Sequence, residues 1–175
     1  MTAILYLLPD ILTCCNILAG LCAIYLSIYR KIGLACWLVL ASVLFDGLDG
    51  WAARRLGRES LFGRIFDSIA DFISFGCAPL FIYYAMAQAK DLSSLPVMLI
   101  YIAASAIRLV RFTANGGTDQ SKDFEGLPTT ASAALLAFLI LFFPRNFSKP
   151  TFSAVVFIGL SALMLSRIRF WKFNR

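Results

Sequence analysis

Histidine is absent from this 175-residue chain. Its absence removes Ser-His-Asp and Cys-His nucleophile activation, His-ligated zinc and imidazole proton relays. Any general-base work must fall to a carboxylate, Lys, Tyr or water. Charge is scarce as well, at 15% of residues, and acid is scarcer than base: ten Asp and Glu stand against 16 Lys and Arg, a net charge of +6. No basic-aromatic stripe of a soluble module is present, so the excess positive charge suits anionic lipid or a phosphate-bearing substrate and not nucleic acid. The five cysteines, Cys14, Cys15, Cys22, Cys36 and Cys77, all lie in apolar stretches without CxxC ligand spacing. They read as packing thiols. There is no internal repeat and no low-complexity run. The N-terminus lacks a basic n-region and a small-residue cleavage site. Residues 1–10 are expected to form a short interfacial helix ending near Pro9.

What the chain has in abundance is apolar surface: 60% of residues are hydrophobic, and the mean hydropathy is +0.79. This is a membrane composition. Six apolar stretches can be read, at residues 11–29, 32–45, 65–89, 92–107, 127–144 and 150–166. Several approach the roughly 20 residues that a spanning helix needs, and the shorter ones need their flanks. Six such spans leave only short loops, so the expectation is one all-α membrane domain over residues 1–175 with six transmembrane helices. Gly57 is expected to break the second helix, and Gly126-Leu127-Pro128 to start the fifth span. The polar run after Asn115-Gly116-Gly117 reads as a loop, and the cationic, aromatic tail from Arg167 as an interfacial anchor. With both termini on one side, Arg30, Lys31, Lys90, Arg145 and Lys149 fall on the opposite side. The other eleven of the 16 cations share the side of the termini. The positive-inside rule makes that side cytoplasmic.

Four of the ten acidic residues crowd into one window in or beside these apolar stretches: Asp46, Asp49, Asp67 and Asp71. Charge at membrane depth is costly and marks function. Asp46 and Asp49 are i,i+3; Asp67 and Asp71 are i,i+4. On two helices, each pair shares one face. Facing each other, the pairs place four carboxylates around a small volume, where like charges need a cation among them. One or two hard divalent cations suit oxygen ligands of this kind. Gly50 and Ala53, one turn on, and Gly63, one turn before Asp67, leave space beside the acids. Arg54 adds a fixed positive charge suited to phosphate. Divalent metals, an Arg and close backbone access together describe a diphosphate site.

Asp46-x2-Asp49-Gly50-x2-Ala53-Arg54-x8-Gly63-x3-Asp67-x3-Asp71 resembles the CDP-alcohol phosphotransferase signature at every fixed position. The resemblance covers roughly the first three quarters of the chain. It implies an integral membrane enzyme, a six-helix homodimer, in which an alcohol displaces CMP from a CDP-linked donor with two divalent cations, Mg²⁺ or Mn²⁺. It further implies that Asp46, Asp49, Asp67 and Asp71 ligate the metals, that Asp71 also serves as the base, and that no covalent intermediate forms. The segments Asp67-Ser68…Asp71-Phe72, Arg108-Leu109-Val110-Arg111-Phe112, Phe124-Glu125-Gly126-Leu127-Pro128 and Leu8-Pro9-Asp10…Thr13…Asn16…Gly20 look like the serine branch of the family. That branch uses CDP-diacylglycerol and L-serine. Two departures stand out: Asp10 replaces a more usual Asn, and Thr130 stands where the branch usually carries Pro. By this resemblance the chain is expected in a bacterial or archaeal cell membrane, with its active site facing the cytoplasm.

A serine substrate carries a carboxylate, which suits an Arg. Arg108 and Arg111 are i,i+3 near the cytoplasmic end of the fourth span and are candidates for that carboxylate or for the donor phosphate; the alternative is that they snorkel to lipid headgroups. Two rival readings remain open: the same reaction class with glycerol phosphate, inositol phosphate or an archaeal ether-lipid donor, and a small cation channel or transporter. The acids lie near one membrane face, and no broken half-helices occupy repeat positions, which argues against transport.

Overall fold

A computed structural model describes residues 2–57, 61–87, 95–114, 124–166 and 169–170. Helix follows helix: α1 (Thr2–Ile28), α2 (Ile32–Leu56), α3 (Leu61–Asp71), a π-helical turn (Phe72–Cys77), α4 (Ala78–Met86), α5 (Leu95–Ala114), α6 (Thr129–Phe142), α7 (Pro144–Phe147) and α8 (Pro150–Leu165). The exception among the described residues is a two-residue antiparallel pairing of β1 (Phe124–Glu125) with β2 (Arg169–Phe170). The run from α3 through α4 is one long apolar rod, Phe62–Met86.

Among the described residues, four helices are long and apolar enough to cross a membrane: Leu8–Ile28, Ile32–Leu56, Phe62–Met86 and Leu95–Ala114. The fifth and sixth expected spans are the shorter α6 and α8. At 1.5 Å per residue they reach roughly 21 and 24 Å, less than the ~30 Å of a hydrocarbon core. Helix α6 ends at Phe142, and Pro144, the last residue of the fifth apolar stretch, starts α7. Large apolar side chains face outward along the spans, among them Leu18, Trp37, Leu44, Leu99 and Val155. A lipid-embedded bundle exposes such groups at no cost, because lipid is as apolar as they are.

The expectation of a separate interfacial helix over residues 1–10 is corrected. Helix α1 runs through Pro9 without a break. Proline removes one donor but leaves its own carbonyl available, and the Thr13 hydroxyl lies 3.1 Å from the Pro9 carbonyl oxygen. A tight turn then reverses the chain: Arg30 takes a left-handed conformation (φ 58°), and the amides of Arg30 and Lys31 donate to the carbonyls of Ser27 and Leu26. Gly57 ends α2 as expected, at φ 61°, with its amide directed at the carbonyls of Ala53 and Arg54. Helix α3 begins at Leu61, two residues before Gly63, and Pro128 caps α6 from outside its first turn. Gly126 (φ 78°) lies so close to the end of α8 that a Cβ there would sit 2.6 Å from the Met164 carbonyl oxygen. The loop at 115–123 and the tail from Arg167, apart from the backbone of 169–170, fall outside the described residues.

Helix α1 packs most extensively on α2, α5 on α8, and α2 on α6. Aromatic edges knit α4, α5 and α8 together: Tyr83 and Tyr101 both meet Phe157 edge-on, at centroid distances of 5.1 and 5.4 Å. Two of the buried tyrosine hydroxyls tie helices together. Tyr83 bonds Ser153 at 2.7 Å, and Tyr101 donates to the Phe75 carbonyl at 3.1 Å. The π turn buries Ser74, Phe75 and Gly76 in succession.

Candidate active site

Asp46 and Asp49 lie in the second half of α2 and Asp67 and Asp71 in α3, so the two pairs approach from two helices, as the spacing predicts. One carboxylate oxygen from each of Asp46, Asp49 and Asp67 lies within 4.8 Å of the others. Asp71 joins them, its carboxyl meeting that of Asp46. Asp49 and Asp71 are buried, at 3% and 8% exposure, while Asp46 and Asp67 are partly open. The buried Oδ1 of Asp67 has no hydrogen-bond partner among the described residues. Such an arrangement is costly unless a cation completes it.

A cavity of about 480 Å³ opens beside the acids. Asp49, Gly50, Ala53, Gly63 and Asp67 line it, which brings three of the four expected donor-pocket residues to one wall with two of the acids. The cavity is large enough for a nucleotide-sized group. A Cβ added at Gly50 would meet only the Arg54 guanidinium, 3.4 Å away. Arg54 itself is exposed and lies outside the lining, folded back over Gly50 and acting on Asp46 as an opposite charge. Next to it, Arg55 stacks on Trp51 at 4.8 Å.

Pro9, Asp10 and Thr13 of α1, which belong to the segment resembling the serine branch, also line this cavity, together with Phe62, Arg64 and Phe66 of α3, to which the sequence analysis assigned no site role. Arg64 brings a cation to the wall that Arg54 leaves. The signal was present: Arg64 follows Gly63 directly, and Thr13 lies in the α1 segment that resembles the serine branch.

Arg108 and Arg111 part company. Arg108 donates to the Thr129 hydroxyl at 3.0 Å and acts on Asp46 as an opposite charge. Thr130, next to that buried threonine, donates to the Asp46 carboxylate. Arg108 thus stands beside Asp46. Arg111, in the last turn of α5, is half-buried, and neither arginine is among the residues that line the cavity. Ser68 also has a structural explanation. Its hydroxyl lies 2.9 Å from the Arg64 carbonyl oxygen and 2.6 Å from the Thr113 hydroxyl, which ties α3 to α5.

Residues 6–167 match the CDP-alcohol phosphatidyltransferase family. A Helicobacter pylori protein named CDP-diacylglycerol–serine O-phosphatidyltransferase is 36% identical over 178 aligned residues, covering 98% of this chain and 74% of that protein. A Bacillus subtilis protein of the same name is 34% identical, covering 96% and 92%. An archaetidylserine synthase from Methanothermobacter thermautotrophicus is 37% identical, covering 93% and 69%. With the acids, the glycines and the cavity in the arrangement described, and a match running along nearly the whole length, the chain belongs to the CDP-alcohol phosphatidyltransferase family of membrane enzymes.

Proposed function

We propose that the chain transfers the phosphatidyl group of CDP-diacylglycerol to the hydroxyl of L-serine, giving phosphatidylserine and CMP. The observation that carries this reading is the convergence of four carboxylates beside a nucleotide-sized cavity walled by Gly50, Ala53, Gly63 and Arg64. The names of the Helicobacter and Bacillus relatives support serine as the acceptor. A donor with archaetidyl tails is the second reading, favoured by the Methanothermobacter relative. The tails would meet only the apolar outer surface of the helices.

The acids fit divalent cations on two counts: their oxygens are close enough to share an ion, and Oδ1 of Asp67 lacks a partner among the described residues. Asp46, Asp49 and Asp67 would hold two ions, Mg²⁺ or Mn²⁺, with Asp71 contributing. When bound, the ions would neutralise the diphosphate and the charge that builds on its oxygens during transfer. The rest falls to the chain. Gly50 and Ala53 leave room for the cytidine end of the donor, and Arg54 and Arg64 offer positive charge to its phosphates. Arg108 takes the serine carboxylate. The serine oxygen forms the new P–O bond in line with the breaking bond to CMP, and its proton passes to the Asp71 carboxylate as the bond forms. No covalent enzyme intermediate is needed.

The finer membrane arrangement belongs to the same reading: α6 and α8 complete six crossings, both termini and the acidic site face the cytoplasm, and two copies pair. Reporter fusions at the C-terminus and light scattering of the purified protein test these points. The reaction is tested by CMP release from CDP-diacylglycerol with each alcohol in turn. Serine should be fastest, and excess EDTA should stop turnover until Mg²⁺ or Mn²⁺ is restored. Faster release with glycerol 3-phosphate or inositol phosphate would refute serine, and full activity in EDTA would refute the metals.

A further inference from the structure

Two side chains of α1 reach across to the acids of α2 and α3. Thr13 and Asn16 are i,i+3 and share one face. The Thr13 hydroxyl lies 3.0 Å from Oδ2 of Asp49 in α2, and the Asn16 amide nitrogen lies 3.2 Å from Oδ1 of Asp71 in α3. Both residues are buried, Asn16 completely and Thr13 at 6% exposure. The orientation of Asn16 follows from its partner: an ionised carboxylate only accepts, so the amide must present its nitrogen. The Asn16 backbone is fixed as well, because its carbonyl accepts from the Ser74 hydroxyl at 2.9 Å. Thr13 has one proton and two acceptors in reach, Asp49 and the Pro9 carbonyl, and a charged acceptor wins that competition.

Each of these two acids therefore has one oxygen engaged by a neutral donor from α1. We propose that Thr13 and Asn16 are positioning residues that set the carboxylate orientation of Asp49 and Asp71 for divalent-cation binding. The proposal rests on the reading of the acids as metal ligands. It goes beyond that reading in assigning α1, which carries none of the four acids, a part in building the site. Neutral donors suit this task. They fix a carboxylate without cancelling the charge that the cation needs, whereas Arg or Lys in the same place would compete with the ion.

The test uses the purified full-length chain and reads Mn²⁺ binding by calorimetry, beside CMP release and thermal melting without metal. Thr13→Val keeps the volume and removes the donor, and Thr13→Ser restores the donor. Asn16→Leu removes the amide. Loss of an outer partner of this kind costs on the order of 10-fold in metal affinity. Thr13→Val and Asn16→Leu should each weaken Mn²⁺ binding by about that factor, while Thr13→Ser should stay within about twofold of the parent. If Thr13→Val does not fold, Thr13→Ala is judged by the same criterion. Parental Mn²⁺ affinity in folded Thr13→Val and Asn16→Leu overturns the proposal and leaves both residues as packing groups. Asp67→Asn separates the two levels: if it binds Mn²⁺ as tightly as the parent, the carboxylate reading itself fails and takes this proposal with it.

Discussion

Gly20→Ala adds one methyl group where α1 crosses the π turn. The new Cβ would lie 2.8 Å from Cα and 2.9 Å from Cβ of Ser74. The Cα is backbone and cannot swing aside, so the two segments must separate by about 0.6 Å to reach ordinary contact. Overpacking of this kind costs about 1–3 kcal/mol, and the better helix propensity of Ala returns up to about 1. A net loss on the order of 1–2 kcal/mol follows. The larger consequence is for activity. Asn16 lies one turn before Gly20, takes its backbone contact from the same Ser74, and holds Asp71 at 3.2 Å. A displacement of about 0.6 Å carries that bond out of range, and since a 1 Å error in a catalytic constellation can cost 10²-fold, turnover should fall about tenfold or more. CMP release and melting temperature are measured side by side on the purified protein. Gly47→Ala is the control: it lies between two of the acids in sequence, yet a Cβ there meets nothing within 4 Å, so the variant should match the parent. Parental melting and turnover in Gly20→Ala would refute the close-approach reasoning, and an equal loss in Gly47→Ala would show that the effect is not specific to the crossing.

Three further outcomes are expected. Asp71→Asn should lose turnover by at least 10²-fold while keeping donor affinity within a few-fold, because it removes the proton acceptor and leaves the cavity wall intact; calorimetry with the donor checks this, and loss of donor binding as complete as in Asp67→Asn would make Asp71 chiefly a ligand. Gly50→Leu should block donor binding by filling the space beside the acids, and a folded variant with unchanged affinity would make Gly50 a helix-packing position. Arg108→Lys should raise the serine KM roughly tenfold, since an ammonium cannot reproduce the guanidinium fork, while Arg111→Lys should change it little; a rise in the donor KM instead would place Arg108 on the phosphate.

The acid pairs were legible because helical periodicity is a local property. Spacings of three and four within a helix settle which face a residue takes, and the structure brings the four carboxylates together accordingly. The same rule failed to separate Arg108 from Arg111. Both share a face, but only Arg108 finds Thr129, and that partner lies 21 residues on, across a loop. The continuity of α1 was hidden because Pro9 is a strong local stop signal that the contacts of α1 with α2 and the π turn override. The contribution of Thr13 and Asn16 was visible only as a resemblance. Nothing in α1 announces that its polar residues meet acids 36 and 55 positions away. Helix α6 is shorter than its apolar stretch because Pro128 holds its start to Thr129 and Phe143 leaves the helical backbone before Pro144, breaks that apolar composition alone does not reveal.

The π turn at Phe72–Cys77 follows Asp71 directly. A turn of this type accommodates an extra residue, and one extra residue advances the angular phase of everything beyond it by roughly 100°. The rod from α3 to α4 is therefore two surfaces set at an offset. Its first part is phased to aim acids at α2, and its second is phased to seat Ile82 and Tyr83 in the apolar core. Neither phase constrains the other. A straight helix of the same sequence could satisfy one and would turn the other toward lipid. The offset also separates two kinds of sequence change: substitutions in α4 can retune the fit of the bundle without rotating a single carboxylate, whereas a one-residue deletion in the turn would put the two halves out of register.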